Sequence, residues 1–306
     1  MKDAAVALAY KHCEEITRSR ARNFYYGIRL LPPRKRSAMC ALYAMARRID
    51  DVGDGVAWAP GPGGPSDSND EPDARLAALD DIRRSFSLLR KPPGGWPTAG
   101  LPPGDPVLAA LADTAGKFPL PIDALEELVE GCSWDLTGRR YQSFEELVEY
   151  CRRVAGTIGR LSLAIYGCDD PDEAAPLADA LGVALQLTNI LRDVVEDRDL
   201  MGRVYLPADD LERFGVSPQL EGAPDDLSAL ICFESGRAAV WYDRGLALLP
   251  MLDARSRACT GAMAGIYRRL LDRIRMKPES VLHGRVSLSS GQKAAVAARA
   301  LARAAA

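Results

Sequence analysis

An all-α fold follows from two features of this chain. The helix formers Ala, Leu, Arg and Glu recur through nearly every segment, with apolar residues three and four positions apart. Runs of β-branched residues alternating with polar ones, which a half-buried strand needs, are nearly absent. The 306 residues, 47% hydrophobic and 26% charged, suffice for one large core or two modest ones.

In chain order, the spacing predicts a first helix over Ala4–Thr17. Arg20–Pro33 mixes arginines with aromatics and ends at a double proline, which stops a helix. Arg34–Asp51 carries Met39, Leu42, Tyr43, Ala46 and Ile49 on one face, and Gly53 and Gly55 favour an end. Residues 59–72 and 91–106 are rich in Pro and Gly and predict mobile surface loops. Neither loop separates blocks that look independently foldable, so residues 1–306 are expected to form a single domain.

Helical spacing resumes over Asp73–Leu89 and again up to about Lys117. It continues over Pro121–Trp134, Ser143–Ile165, Asp172–Val195, Asp225–Leu248, Asp253–Ile274 and Ser289–Ala304, giving roughly nine or ten helices. Ser143 with Glu146, and Asp123 with Glu126, have the form of helix N-caps. Gly156 and Gly159 interrupt a good helix, at about 1 kcal/mol each relative to Ala. Close helix packing or backbone room for a long ligand would each explain them.

Several function classes fall away. A net charge of −3 and a pI near 5.6 argue against nucleic acid, which would call for a basic surplus. Basic residues do bunch locally, at Arg18–Arg22, Arg34–Arg36 and Arg47–Arg48, as an anionic small ligand would require. Seven scattered cysteines without a CxxC read as buried thiols in a reducing compartment. Only His12 and His283 are present, too few for histidine metal centres or most Ser/His and Cys/His systems. No N-terminal signal is evident, and no apolar run reads as a membrane span, so the expected location is cytoplasmic, at most peripheral to the inner face of a membrane.

Two acidic motifs carry the chemistry. Gln186, Asn189, Asp193 and Asp197 succeed one another at offsets of three, four and four, a single oxygen-bearing helical stripe with Arg192 beside it. Asp50 and Asp54 share a face on an earlier helix, Arg47 lies one turn before them, and Asp51 is turned about 100° away. Either stripe alone could be a solvated face. Two together could present carboxylates across a cleft, bridge hard divalent cations to a diphosphate, and neutralise the rest with arginines. Such a clamp stabilises a departing pyrophosphate, while apolar aromatic helices shelter an allylic cation from water.

At this point a resemblance is evident. The stretch from Ser19 to Gly55, the middle motif Tyr150–Gly159 and Gln186–Pro207 resemble successive signatures of the squalene/phytoene synthase family, and Tyr267–Ile274 and His283–Leu288 continue the match. The resemblance implies a helical isoprenoid synthase bundle around one central cavity, joining two prenyl diphosphates head to head with Mg²⁺, or Mn²⁺ in its place. It implies Asp50, Asp54, Asp193 and Asp197 as metal-binding and catalytic aspartates, with Asn189 as a further ligand and Gln186 beside it. Arg47, Arg192, Tyr150, Tyr267 and Arg285 match diphosphate-contacting positions, Tyr150 counted with the catalytic groups. Arg22 and Phe24 fall in the segment that covers the donor site. Asn23 stands where relatives often carry Ser, so the closing contact there does not carry over.

Within the family, Ala21–Pro32 and Arg47–Gly55 resemble most closely a bacterial branch that stops at presqualene diphosphate on the hopanoid route. The expectation is therefore condensation of two farnesyl diphosphates without NADPH. Phytoene synthesis from two geranylgeranyl diphosphates is the alternative, followed by squalene synthesis with NADPH. A non-catalytic relative acting in assembly is expected to lose aspartates that are all present here, and an ordinary terpene cyclase fits the motifs poorly. The proton acceptor is left among Tyr26, Tyr43, Tyr150 and the released pyrophosphate, and oligomeric state is open.

Overall fold

The structure is a computed structural model describing residues 2–21, 23–55, 72–90 and 104–305. Its helices in chain order are α1 (Lys2–Arg20), α2 (Tyr25–Ile28), α3 (Pro33–Gly53), α4 (Pro72–Ser85), α5 (Pro106–Lys117), α6 (Ile122–Leu136) and α7 (Phe144–Cys151). They continue with α8 (Thr157–Tyr166), α9 (Pro171–Met201), α10 (Ala208–Arg213), α11 (Pro224–Gly245), α12 (Ala254–Met276), α13 (Ser280–His283) and α14 (Ser290–Ala305). No strand forms among the described residues; Cys168 and Leu252 make one isolated bridge. The all-α expectation holds. Nearly all of residues 59–72 and 91–106 lies outside the described residues, although Asp105 already caps α5 by accepting from Leu108 N–H at 3.0 Å.

The longest helix, α9, explains its own length. Asp170 caps it by accepting from Glu173 N–H, Pro171 starts it, and Gly202 ends it in the left-handed region at φ 64°. By length and composition α9 could cross a membrane, which the sequence alone did not suggest, yet 67% of its most apolar window is buried inside the protein. Its first turns join a core built with α1, α3, α5 and α6. Its later turns join a second core built with α7, α11 and α12. Between these cores lies the cavity.

Ser143–Ile165 is not one helix. A π-helical turn, Arg152–Gly156, separates α7 from α8. Such a turn inserts an extra residue and rotates the helix beyond it. Arg152 there bonds Asp179 of α9 at 2.9 Å, and a Cβ on Gly159 or Gly182 would collide with the backbone carbonyl of Ala178 or Ala155. Close packing thus accounts for Gly159. Ser143 caps α7 as expected, accepting from Glu146 N–H. Asp123 does not cap α6; it sits in the first turn and, with Glu126, accepts from Arg90.

All seven cysteines are free thiols; Cys232 is exposed and Cys168 half-buried, against the expectation of uniform burial.

Candidate active site

A cavity of about 710 Å³ opens between the two cores. Of the residues singled out from the sequence, Phe24, Arg47, Asp50, Tyr150, Gln186, Asn189, Arg192, Tyr267 and Arg285 line it. Arg22 lies outside the described residues. Asp54, Asp193 and Asp197 are not among the lining residues; Asp54 acts on the lining Asp50 through charge, and Asp193 acts on Asp197 in the same way. Asp193 is bonded by Arg192, with Nε at 2.8 Å, and by Arg285, with Nε at 2.9 Å. Asp54 accepts from Arg203 at 2.7 Å.

Local structure fixes these contacts. Because Gly202 turns left-handed, Arg203 doubles back: its N–H bonds Asp197 O, and its guanidinium reaches across to Asp54 and Gly53 O. One arginine therefore joins the ends of α3 and α9. On α3, Arg47 pairs with Asp50 at 2.7 Å and with Asp51 at 2.5 Å. Asp51, the acid turned off the stripe, is fully buried and holds Arg47 from behind. Phe24 stacks on Tyr267 with centroids 5.3 Å apart, closing one wall.

The two motifs act on a common centre, Asp135, which sequence reasoning missed. It lines the cavity from α6 and accepts from Tyr150 Oη at 2.9 Å and Tyr205 Oη at 3.0 Å. Burial pushes Asp135 up to about 6, against the pull of Arg203 and the two phenols. A signal was present: Asp135 comes after Leu125, Leu128 and Cys132 on the inward stripe of α6, an acid at a core register. Arg203 and Tyr205 lie inside the Gln186–Pro207 motif, where spacing assigns them no role.

The acids lack sufficient countercharge. Asp50 has half of its side chain accessible to the cavity, yet enclosure, and after it Asp54, raises it to about 7 despite Arg47. Burial, and after it Asp193, raises Asp197 to about 7 despite Arg203. Asn189 Oδ1 is buried without a hydrogen-bond partner. Uncompensated carboxylates beside an orphaned amide oxygen suit a hard, oxygen-binding divalent cation. Among the described residues no three acid, thiol or imidazole groups gather closely enough to hold a metal alone. The fit is therefore to ions that share their coordination with a phosphate ligand.

This charge balance has a measurable sign. In the unfolded chain these carboxylates ionise near pH 4, whereas folded they retain protons up to about 7. Their contribution to stability is thus complete below about pH 4 and lost as pH rises through about 7. In chelator, Asp50→Asn is expected to raise the melting temperature clearly at pH 8 and far less at pH 5. Equal shifts at both pH values would contradict a charge origin.

Comparison with known proteins identifies the family and the fold. The family model for squalene/phytoene synthase matches residues 17–292. A phytoene synthase of Mycobacterium bovis is 48% identical over 302 residues, covering 96% of this chain and 91% of that protein. A 15-cis-phytoene synthase of Synechocystis is 38% identical, covering 95% and 83%. The crystal structure of a dehydrosqualene synthase superposes with TM-score 0.83 at 28% identity, covering 99% of each chain. The squalene synthase HpnC of Alicyclobacillus acidocaldarius gives 0.74 at 29% identity, covering 92% and 97%. With its helical bundle, its paired aspartate motifs and these matches along almost its whole length, the chain belongs to the squalene/phytoene synthase family of prenyl-transferring enzymes.

Proposed function

We propose that the chain is a phytoene synthase, condensing two geranylgeranyl diphosphates head to head with Mg²⁺. The observation that carries this reading is the 48% identity, across nearly the full length of both chains, to proteins named phytoene synthase. The farnesyl preference drawn from the N-terminal motifs is the weaker alternative, supported by structural likeness to a dehydrosqualene synthase and to HpnC at below 30% identity.

In the proposed reaction, Asp50, Asp54, Asn189, Asp193 and Asp197 would hold the divalent ions, which supply charge to the departing diphosphate. Arg47, Arg192 and Arg285, already at the cavity wall, orient and neutralise the same group. The donor C–O bond breaks with its electron pair on the diphosphate oxygen. The acceptor double bond attacks the allylic carbon, and loss of a proton closes a cyclopropane ring that still carries the acceptor's diphosphate. That second diphosphate then leaves with its electron pair, the ring rearranges and opens, and loss of a second proton gives phytoene. Both protons go to a base such as the released diphosphate. Tyr150, whose hydroxyl donates to Asp135, keeps its lone pairs available to positive charge developing in the cavity. Phe24 and Tyr267 exclude water.

Incubation with geranylgeranyl or farnesyl diphosphate and Mg²⁺, with and without NADPH, tests the assignment. Phytoene from the C20 substrate, unchanged by NADPH, is the expected product. Presqualene diphosphate from the C15 substrate, with no C40 product, would replace this reading with the alternative.

A further inference from the structure

The cavity is polar at its aspartate end but does not end in pure hydrocarbon. The lining runs along α3 from Asp50 back to Met39, along α9 from Arg192 back to Ala178, and along α12 from Tyr267 back to Thr260. At 1.5 Å per residue, Arg192 to Ala178 spans about 21 Å. At the end away from the aspartates, three hydroxyl side chains face the same space: Ser162 and Tyr166 of α8 and Thr260 of α12. They are 8%, 4% and 4% exposed.

Thr260 differs from the other threonines inside helices. Thr17, Thr114, Thr157 and Thr188 each donate to the carbonyl four residues earlier. Thr260 Oγ1 is enclosed and makes no hydrogen bond of good geometry. The Tyr166 hydroxyl lies 3.4 Å from Cys259 Sγ, and Ser162 and Thr260 both interact with that phenol. An enclosed hydroxyl without a partner is a cost that a hydrogen-bonding guest removes. Three convergent hydroxyls supply the two to four partners that an internal water requires.

We propose that Thr260, Ser162 and Tyr166 form a polar stop that binds one ordered water and limits the length of prenyl chain the cavity accepts. The proposal rests on the reading that a prenyl chain fills this cavity. Each isoprene unit adds four backbone carbons, about 5 Å at ordinary bond lengths. On that scale a C20 chain ends at the stop and a C25 chain overruns it. Overrunning expels the water and leaves Thr260 Oγ1 again without a hydrogen bond of good geometry, a penalty that falls only on the longer chain.

The test compares wild type with Thr260→Val, which keeps the shape and removes the hydroxyl, and with Tyr166→Phe, in competition among C15, C20 and C25 all-trans prenyl diphosphates. Each variant is expected to raise the ratio of kcat/KM for C25 over C20 at least tenfold. A crystal structure of the wild type is expected to show a water bonded to Thr260 Oγ1. Ratios within twofold of wild type in both variants, or Thr260 Oγ1 bonded back to the Ser256 carbonyl, would overturn the proposal. If wild type turns over only the C15 substrate, the C20 assignment fails by itself. The stop is then judged by whether the variants gain activity on the next longer chain.

Discussion

Asp50→Ala is expected to lower kcat/KM for head-to-head condensation by about 10³-fold or more, the scale of losing a charge-stabilising group at a reacting centre. The loss should appear in kcat, because the ions and arginines act on charge that develops as the diphosphate departs. Helical content should not fall. Asp50 is open to the cavity, and its carboxylate is held against its own ionisation preference by enclosure and by Asp54. The same variant should therefore melt no lower than wild type in chelator at pH 8. Asp193→Ala should match it in activity, but with a structural consequence, since Asp193 also receives Arg192 and Arg285. Steady-state kinetics with circular dichroism decides the matter. A folded Asp50→Ala protein within tenfold of wild type would refute the metal-cleft assignment.

Gly159→Ala is expected to be the most damaging small substitution in the fold, costing about 3 kcal/mol or more, at the upper end for overpacking. Most added methyl groups find a side chain that yields. Here the methyl would enter the space of the Ala178 carbonyl oxygen, which is part of α9 and fixed by that helix's own hydrogen bonds. The helices must separate, and because Gly159 and Ala178 both line the cavity, its wall moves with them. Urea unfolding measures the loss. A midpoint shift corresponding to less than 1 kcal/mol would mean that α8 and α9 are free to part.

Why some of this was legible in the sequence, and some not, is a matter of range. The long helices announce themselves through periodicity, and Asp50/Asp54 and Gln186–Asp197 through spacing along one helix. Those signals are local. The π turn at Arg152–Gly156 is accompanied by a long-range contact, Arg152 with Asp179, that leaves no local mark, so Ser143–Ile165 read as one helix. Asp135 belongs to the site only because Tyr150 and Tyr205 meet on it from elements fifteen and seventy residues away. The role of Arg203 depends on the direction in which Gly202 turns the chain. Asp51 looked like a bystander beside two aligned acids, yet its burial under Arg47 is what steadies the arginine facing the cavity.

The contact of α8 with α9 also makes the two sides of the cavity unequal in their capacity to change. Where the two helices touch, the lining is made by Ala155, Gly159, Ala178 and Gly182, with hardly any side chain to reorient. Its contour is a property of the main chain. Across from it stand Met39 and Met263, unbranched side chains that refill irregular space at small cost. The cavity therefore has one cast wall and one pliable wall. Its calibre can drift by substitution at side chains such as Met39 and Met263, while the main-chain contact of α8 with α9 preserves the track along which a chain lies.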